Sequence, residues 1–592
     1  MKKKILLGFI LFSTLFGLIL TTMNSEENKI LAPFNPNRNL FIESAATSLT
    51  VSVQVDEFQV NVYNSSDQTM PSICALSENT FAVVWESSGQ DSDDTKGIYA
   101  RVFNATTGIN TTAEIQINYE ENDIQKIPSI CALSEDRVAI AWESNTQDGN
   151  FYGVFARVLN TTSGEFSTAS DIQVNNYTTY NQWEASICAL SEDTFAVAWM
   201  SQNQDEEGYG IYSRVFNATT GVNTTAEFQI NFNETNNQWH PSICALSEDI
   251  LAVAWESEEQ DGNGWGVFAR VFNITSGEFS TASDIQVNYN TTNDQRYPSI
   301  CALSEDRFAV VWQSNETDGD IDGYGIHARV FDATTGSNTT AEIQVNYNTT
   351  NDQDTPSICA LSEDTFGVAW ESDEQDGEYY GIFARIFNAT TGENITAEFQ
   401  VNKQTNQAQT CPAICGLSEN SFAVAWQDGW EDVVPGKDIF AGVFMINEAP
   451  LVNIPSPSDD ATATTINPTL QVEVSDADGH DITVYFYDNS TGTPIYLGMD
   501  TVSSGGPGNA SFQWNGRAYG TEYRWFVNAS DGIVNTTSSI WSFTTKAAPE
   551  NPLLLLLLTP SEQQIPGYHL FLILMSIGAG ALILSGKKIR TY

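Results

Sequence analysis

Basic residues are scarce in this sequence. Only 24 of the 592 residues are Lys or Arg, against 75 Asp or Glu, and the formal net charge is -51. Nucleic acids and anionic lipids are bound through clustered Lys and Arg side chains, so the composition excludes both classes of partner. An acidic excess instead favours solubility, divalent cations, and partners that are cationic or carry sugars.

Histidine is rarer still. The four histidines, His240, His327, His480 and His569, fall in unrelated sequence contexts. This scatter disfavours zinc hydrolases and Ser-His-Asp enzymes, which need their ligands or catalytic groups in recognisable patterns. Paired carboxylates for glycoside cleavage remain open in so acidic a chain.

Long apolar runs are confined to the two ends. A basic start and an apolar stretch predict a signal peptide or an uncleaved N-terminal anchor over residues 1–23, followed by a linker over residues 24–47. Residues 567–586 predict one transmembrane helix, preceded by a stalk over residues 547–566 and followed by a basic cytoplasmic tail, residues 587–592. These signals predict a single-pass membrane protein at the cell surface, with its bulk extracellular.

The C-terminal segment opens with Pro566-Gly567-Tyr568, continues as apolar sequence and ends in basic residues. It resembles the tripartite sorting tails of archaeal cell-surface proteins, in which the tail is exchanged for a lipid anchor. Tyr568 stands where Phe is usual in such tails. A plain stop-transfer helix is the alternative.

One sequence unit occurs seven times between these ends. The motif Pro-Ser-Ile-Cys-Ala-Leu-Ser-Glu-Asp returns, with small changes, about every 57 residues, which is a spacing typical of repeat architectures. Its cysteines are Cys74, Cys131, Cys188, Cys244, Cys301, Cys359 and Cys415. A tryptophan follows each cysteine at the same interval: Trp85, Trp142, Trp199, Trp255, Trp312, Trp370 and Trp426.

Each repeat predicts four short strands, as in residues 72–76, 81–86, 97–104 and 114–118. The first two strands hardly alternate between apolar and polar residues, so both of their faces should be buried. A helical period of 3.6 residues is missing. Four-stranded units repeated radially predict an all-β fold with a seven-bladed β-propeller over residues 48–447.

The seventh repeat stops at Phe444 without its fourth strand, whereas residues 57–61 form a spare strand ahead of the first repeat. We expect the spare strand to complete the seventh blade, because a closed ring leaves no exposed strand edge.

The repeats resemble tandem units of large bacterial secreted and adhesin-like proteins. Gln375-Asp376-Gly377, Tyr380-Gly381-Ile382 and Phe399-Gln400-Val401-Asn402 carry the likeness. The resemblance implies no particular activity. The Ser-x-Asp-x-Gly-x-Thr-Trp boxes of sialidase-like propellers are missing.

A different pattern begins at Glu448 and continues to residue 546. Alternating residues over 470–474, 482–487, 523–528 and 540–544 predict the strands of a β-sandwich. Glu522-Tyr523-Arg524-Trp525-Phe526-Val527 and Trp541-Ser542-Phe543-Thr544-Thr545 resemble segments of fibronectin type III-like domains. The resemblance implies an immunoglobulin-like module that acts as a spacer or binds a ligand.

The repeated cysteines and arginines each allow two interpretations. The cysteines are either small buried hydrophobic residues or a metal-binding ring, and the related bacterial repeats, with Ala near this position, imply packing. Their strands should lie too far apart for disulfides. Arg101 and its equivalents either bond within their own blade, to Glu114 and its equivalents, or form an anion site.

Aspartates, commonly followed by glycine, recur in the loop between the second and third strands of each repeat. They suit hairpin turns, but the densest run also offers oxygen ligands for calcium at Asp318, Asp320 and Asp322. The second module offers a similar set: Asp476, Asp478 and Asp481. Ca²⁺ is the one cofactor that the sequence suggests.

Aromatic residues gather on one predicted face of the ring. The loop between the second and third strands and the connection to the next repeat emerge there together. The candidate ligand contacts are Trp183, Trp239, Trp265, Tyr297, Tyr324 and Trp430. Aromatic rings beside carboxylates suit sugar or protein ligands, and packing between loops is the alternative.

Asn-x-Ser/Thr sequons are frequent in the predicted loops, which agrees with a glycosylated, exported surface. The candidate sites are Asn104, Asn110, Asn160, Asn217, Asn223, Asn290, Asn348, Asn388 and Asn394.

The sequence as a whole favours a cell-surface binding or adhesion protein whose non-catalytic propeller takes an extracellular protein or glycan. The alternatives are a carbohydrate-active propeller enzyme and a purely structural protein of the cell envelope.

Overall fold

The computed structural model describes residues 49–91, 95–205, 208–315, 323–377, 379–429, 436–503 and 507–549. Every regular element in these ranges is a β-strand, which confirms the all-β fold. Within the same ranges no helix is long and apolar enough to cross a membrane. The predicted signal peptide, N-terminal linker, transmembrane helix and basic tail lie outside the described residues, as does nearly all of the stalk.

Seven antiparallel sheets correspond to the seven repeats, and they are numbered here as blades 1–7, from the blade of Trp85 to the blade of Trp426. The inner strands are Gln68–Ser77, Gln125–Ser134, Gln182–Ser191, Gln238–Ala245, Gln295–Ser304, Gln353–Ser362 and Gln409–Ser418. The second strands are Thr80–Ser88, Arg137–Asn145, Thr194–Gln202, Ile250–Glu258, Arg307–Asn315, Thr365–Asp373 and Ser421–Asp428. The third strands are Lys96–Asn104, Tyr152–Asn160, Tyr209–Asn217, Trp265–Asn273, Tyr324–Asp332, Tyr380–Asn388 and Asp438–Asn447.

The outer strands are short in six of the blades: Ile115–Gln116, Ile172–Gln173, Phe228–Gln229, Ile285–Gln286, Ile343–Gln344 and Phe399–Gln400. Blade 4 has one further strand, Glu278–Phe279, against its third strand. Each inner strand contacts the inner strands of the two neighbouring blades, and that of blade 7 contacts that of blade 1. The seven sheets therefore close into a ring, as a β-propeller requires.

The outer strand of blade 7 comes from the start of the described chain. Thr50–Gln59 pairs antiparallel with the third strand of blade 7, from Thr50 opposite Asn447 to Gln59 opposite Phe440. The pairing continues at Val60, whose N–H donates to Ile439 O at 2.7 Å. The predicted closure is confirmed, and the closing strand is longer than the spare strand expected from the repeat.

The core of each blade is centred on its repeated tryptophan. All seven tryptophans are fully buried, and the second strands that carry them are buried on both faces over most of their length. The buried clusters extend from one blade into the next, as where Ile73 and Trp85 of blade 1 pack with Cys415 of blade 7. The repeated cysteines are free thiols in these clusters, which agrees with the packing interpretation.

The repeated arginines bond between blades. Each donates from Nη1 to a backbone carbonyl of the preceding blade, as Arg101 does to Val60 O and Arg157 to Ile117 O, both at 2.8 Å. Within a blade, Arg157 lies 4.0 Å from Asp171. The predicted intrablade bonds are therefore present, as where Arg101 Nε donates to Thr112 O at 3.3 Å. The sequence did not predict the interblade bonds, which form because the arginine side chain is long enough to reach the neighbouring outer strand.

The acidic residues before the outer strands also bond between blades. Their carboxylates accept backbone N–H groups that follow the outer strand of the preceding blade, and the seven residues are Glu57, Glu114, Asp171, Glu227, Asp284, Glu342 and Glu398. Glu57, on the closing strand, accepts from Lys403 N at 2.8 Å. Blade 7 thus forms the same carboxylate-to-backbone bond with its preceding blade as the other six blades do.

The second module consists of two sheets over one hydrophobic core. One sheet contains Leu451–Ser456, Thr469–Ser475 and Gly508–Gln513. The other contains Ala461–Thr464, Trp541–Thr545, Glu522–Ser530, Ile482–Asp488, Ile495–Val502 and Asn535–Thr537. Val472, Phe486 and Trp525 meet in the shared core. The four strands predicted from the sequence are present, and the fibronectin type III class remains a prediction.

Replacement of Phe58 by Ala tests the closing strand. Phe58 packs on Phe103 of blade 1 with ring centroids 5.1 Å apart, so we expect the variant to lose about 2–3 kcal/mol of unfolding free energy, measured by urea denaturation. Val53 lies on the same strand but is 56 % exposed, and Val53→Ala should change that free energy by less than about 0.5 kcal/mol. Equal effects of the two substitutions would argue against a packed closing strand.

Candidate functional site: the loop-rich face of the ring

Every inner strand carries a β-bulge near its start, where the pairing with the second strand shifts register. One residue of each bulge has a φ between 45° and 54°: Met70, Ile127, Glu184, His240, Tyr297, Thr355 and Cys411. Residues other than glycine rarely adopt this left-handed conformation, so the surrounding structure must hold it in place.

A side chain of the preceding blade holds each bulge. The residue after the repeated tryptophan is Glu or Gln in six blades, and its side-chain oxygen accepts the bulge N–H of the next blade. Examples are Glu256 to Tyr297 N at 2.9 Å and Gln313 to Thr355 N at 3.0 Å. Blade 3 has Met200 at this position, and there Glu184 accepts His240 N at 3.1 Å instead. We call this bond the bulge latch.

The latch carboxylates are deeply buried. Burial raises the pKa of Glu143 to about 7, although Lys126 lies 3.3 Å away and opposes the shift. Burial also raises the pKa of Glu371. For Glu256 burial again favours the neutral form, but the hydrogen bonds and charges of His240 and Arg296 overcome it and leave the pKa below its ordinary value.

Five aromatic rings run across blades 2, 3 and 4 on this face, and we call them the aromatic arc: Tyr152, Trp183, Tyr209, Trp239 and Trp265. Successive ring centroids are 6.2, 6.0, 6.0 and 4.6 Å apart. The rings alternate between starts of third strands and starts of inner strands, so both kinds of connection contribute to one surface. All five are half-buried, with part of each ring open to solvent.

A cationic side chain lies beside the aromatic ring at each end of the aromatic arc. Lys126 Nζ lies 4.3 Å from the centroid of Tyr152, and the Arg296 guanidinium lies 5.0 Å from that of Trp265. Both distances allow cation–π attraction. Each cation also pairs with a latch carboxylate, Lys126 with Glu143 and Arg296 with Glu256 at 2.8 Å, so neither is a free positive charge.

His240 lies beside the arc between two carboxylates. Its Nε2 is 3.2 Å from Glu184 and its Nδ1 is 2.9 Å from Glu256. Burial alone would lower the pKa of His240, but the bonds to the two glutamates raise it to about 9. The imidazole is therefore a cation at neutral pH, and Tyr297 packs on it with centroids 4.4 Å apart.

Blade 6 presents an acidic sector on the same face. Asp354 lies opposite Glu371 in the strand pairing. Burial, together with the charges of Glu371 and Asp352, raises the pKa of Asp354 to about 7. The Tyr380 hydroxyl donates to Asp354 at 3.4 Å. A carboxyl group with this pKa can hold a proton at neutral pH and release it.

Four of the six predicted ligand contacts meet here, since Trp183, Trp239 and Trp265 belong to the aromatic arc and Tyr297 stacks on His240. Tyr324 begins the third strand of blade 5, and its N–H donates to Asp352. Trp430 lies outside the described residues. Sequence reasoning missed Lys126, Glu184, His240 and Arg296, although all four occupy the first two positions after the repeated buried glutamine.

The two predicted groups of metal ligands lie in different parts of the chain, and the structure describes only one of them. Asp318, Asp320 and Asp322 lie outside the described residues. The equivalent loop aspartates of other blades serve the fold, as where Asp148 accepts Asn175 Nδ2 at 2.8 Å and Asp261 accepts Asn288 Nδ2 at 2.9 Å.

In the second module Asp476 lies near His480 and Asp531. Asp478 instead accepts Glu448 N and Asn420 Nδ2, and Asp481 is not a member of the group that Asp476 forms.

The sequon asparagines lie in surface turns and connections. Asn110 and Asn223 are exposed and the other seven candidates are half-exposed. In blades 1 and 3 the first asparagine of the turn accepts backbone N–H groups of that turn, as Asn104 Oδ1 does from Thr107 N at 3.0 Å. Their glycosylation stays a prediction.

No protein-family model matches the chain, and no curated protein matches it significantly. Several solved structures are similar in fold. The β-propeller domain of the Trilobed protease from Pyrococcus furiosus is 7% identical, with 63% of this chain and 93% of that chain covered and a TM-score of 0.37. The NanB sialidase from Streptococcus pneumoniae is 10% identical, with 66% and 69% covered and a TM-score of 0.34.

The GH93 alpha-L-arabinofuranosidase of Fusarium graminearum, in complex with arabinobiose, is 12% identical, with 66% of this chain and 97% of that chain covered and a TM-score of 0.34. Likeness at this level assigns no activity to the present chain.

Glu143→Gln tests the buried latch by its pH dependence. The pKa of Glu143 is raised on folding, so the wild-type protein is stabilised below about pH 4.5 and loses that contribution as pH rises through 7. Gln313 and Gln427 already form the same latch, so the substituted amide should retain it. The wild-type protein loses this contribution between pH 4 and pH 8 and the variant does not. The unfolding free energy of the variant minus that of wild type should therefore be roughly 2–3 kcal/mol larger at pH 8 than at pH 4.

The measurement is urea denaturation across that pH range, with Glu135→Gln in an exposed turn as the control for loss of one charge. A parallel pH profile for wild type and Glu143→Gln would contradict the burial of an ionisable latch.

Proposed function

We propose that the loop-rich face binds a neutral carbohydrate, and that the protein is a non-catalytic binding or adhesion protein of the cell surface. The observation that carries the proposal is the aromatic arc, a run of five half-buried rings with carboxylates beside it. Flat aromatic faces cover the apolar C–H faces of sugar rings, and oriented carboxylates accept sugar hydroxyls.

The extent of the surface supports an oligosaccharide rather than a single sugar. The rings follow one another over three blades at spacings of 4.6 to 6.2 Å. Phe151 and Tyr180, in connections between strands, and Tyr297, in the inner strand of blade 5, add further aromatic surface, with 55, 43 and 37 % of their areas exposed. A chain of linked sugars could contact several of these rings at once.

The charge balance supports a neutral ligand. Lys126, His240 and Arg296 are each paired with buried glutamates, so the face has no uncompensated cation among these groups. The chain as a whole carries a formal charge of -51. Glycans rich in uronic or sialic acids would be repelled at long range.

The placement at a cell surface supports the same function but depends on sequence alone. The predicted signal peptide, transmembrane helix and glycosylation sites would present the ring to ligands outside the cell. Binding without turnover, followed by retention at the surface, is what an adhesion protein requires.

Trp239→Ala tests the carbohydrate site. Trp239 lies between Tyr209 and Trp265 and its loss interrupts the arc, so we expect at least a tenfold weaker affinity for the best neutral oligosaccharide found on a glycan array, which corresponds to about 1.4 kcal/mol. The assay is calorimetric titration. Tyr347→Ala is the matched control, since this aromatic is 73 % exposed outside the arc and should leave affinity unchanged. Equal affinity of Trp239→Ala and wild type would reject the site.

Hydrolysis of a glycosidic bond is a second candidate function, favoured by the Asp354 carboxyl with its pKa of about 7 beside Glu371. Glycoside hydrolysis uses two neighbouring carboxyl groups, one of which donates a proton. If the protein is an enzyme, the bound oligosaccharide should be cleaved, and Asp354→Asn should abolish product while Glu135→Gln leaves it unchanged. Chromatography of the oligosaccharide after long incubation decides this, and intact ligand rejects hydrolysis.

A further inference from the structure

We propose that Asp476, His480 and Asp531 of the second module bind a first-row divalent metal ion, such as Zn²⁺, beside the junction with the propeller. One ligand atom from each of the three residues lies within 4.8 Å of the others. Asp476 follows the strand Thr469–Ser475, His480 precedes Ile482–Asp488, and Asp531 follows Glu522–Ser530. Three strand ends from both sheets of the module therefore meet at one point.

The strongest sign of a cation site is the Asp476 carboxylate. Asp476 is only 2 % exposed. Its Oδ1 accepts Asp478 N at 2.9 Å and His480 N at 3.3 Å, but its buried Oδ2 has no hydrogen-bond partner among the described residues. A buried anionic oxygen without a donor is strongly unfavourable unless a cation compensates it.

Asp531 is held in position, and His480 offers an unsatisfied ring nitrogen near the same point. Asp531 accepts Val534 N at 2.6 Å through Oδ1 and Asn447 Nδ2 at 2.8 Å through Oδ2, so its orientation is set by backbone and by the last residue of blade 7. The His480 Nδ1 lies 3.7 Å from Asp476 Oδ1 and has no hydrogen-bond partner in the described part of the chain. Among the described residues no Lys or Arg forms an ion pair with either aspartate.

The donor set selects the kind of ion. Ca²⁺ and Mg²⁺ take oxygen ligands almost exclusively, whereas an imidazole nitrogen with two carboxylates suits Zn²⁺ and its first-row neighbours. The set differs from the calcium ligands expected from sequence, because His480 and Asp531 take the places expected of Asp478 and Asp481. Asn447, bonded to Asp531, would couple occupancy of the site to the position of the propeller.

Calorimetric titration of the chelator-treated, dialysed full-length chain with ZnCl₂, MnCl₂ and CaCl₂ at neutral pH tests the proposal. We expect Zn²⁺ to bind at least tenfold more tightly than Ca²⁺. His480→Gln and Asp531→Asn should each weaken the Zn²⁺ site at least tenfold, whereas Asp478→Asn, at the same junction but outside the set, should change its affinity less than twofold.

Two further measurements keep the proposal testable if the variants do not fold. The melting temperature of wild type should rise with Zn²⁺ and that of His480→Gln should not. Co²⁺ added to the unaltered protein should give the visible absorption of a nitrogen-containing low-symmetry site. Zn²⁺ affinity unchanged by His480→Gln, Ca²⁺ binding tighter than Zn²⁺, or no visible Co²⁺ absorption would each overturn the proposal.

Discussion

The closed ring depends on one recurring bond, the bulge latch between a buried Glu or Gln and the backbone N–H of the next inner strand. The bulge turns that N–H out of its own sheet, where an unpaired buried donor would be costly. A side chain from the neighbouring blade therefore has to satisfy it, and this makes each blade incomplete without the blade before it. Arg101 and Glu114, with their equivalents, add two more polar bonds to the same seams.

Because the ring is closed, the dependence of each blade on its neighbour also links the two ends of the propeller sequence. The closing strand Thr50–Gln59 pairs with the third strand of blade 7. Glu57 within this strand bonds to blade 6, and Val60 directly after it accepts the bond from Arg101 of blade 1. A ring of six complete repeats and one shared repeat thus has identical seams nearly everywhere. One exception is Gly442, which replaces the repeated arginine in blade 7, and another is Met200, which replaces the latch residue in blade 3.

Departures from the repeat also create the candidate site. Blade 3 carries Met200 in place of the latch carboxylate, and Glu184 takes over the bond while holding His240. The inner-strand position before each bulge differs from blade to blade, and in blades 3, 4 and 5 it carries Trp183, Trp239 and Arg296. One sector of a uniform scaffold can therefore acquire a binding surface without disturbing the seams, and near-identity of the blades does not exclude a specialised site.

The linear pattern of the chain was sufficient to determine the four strands of the repeat, the seven blades and the closing strand, because each follows from a repeat with a missing piece. Trp183, Trp239 and Tyr297 could be placed on one face for the same reason. The pairing of Arg296 with Glu256, the latch at Met200 and the meeting of Asp476 with Asp531 could not be read in this way. These residues lie 40 or more positions apart. The bulges and the packing of neighbouring blades bring the propeller residues together, and the packing of two sheets over one core brings Asp476 near Asp531.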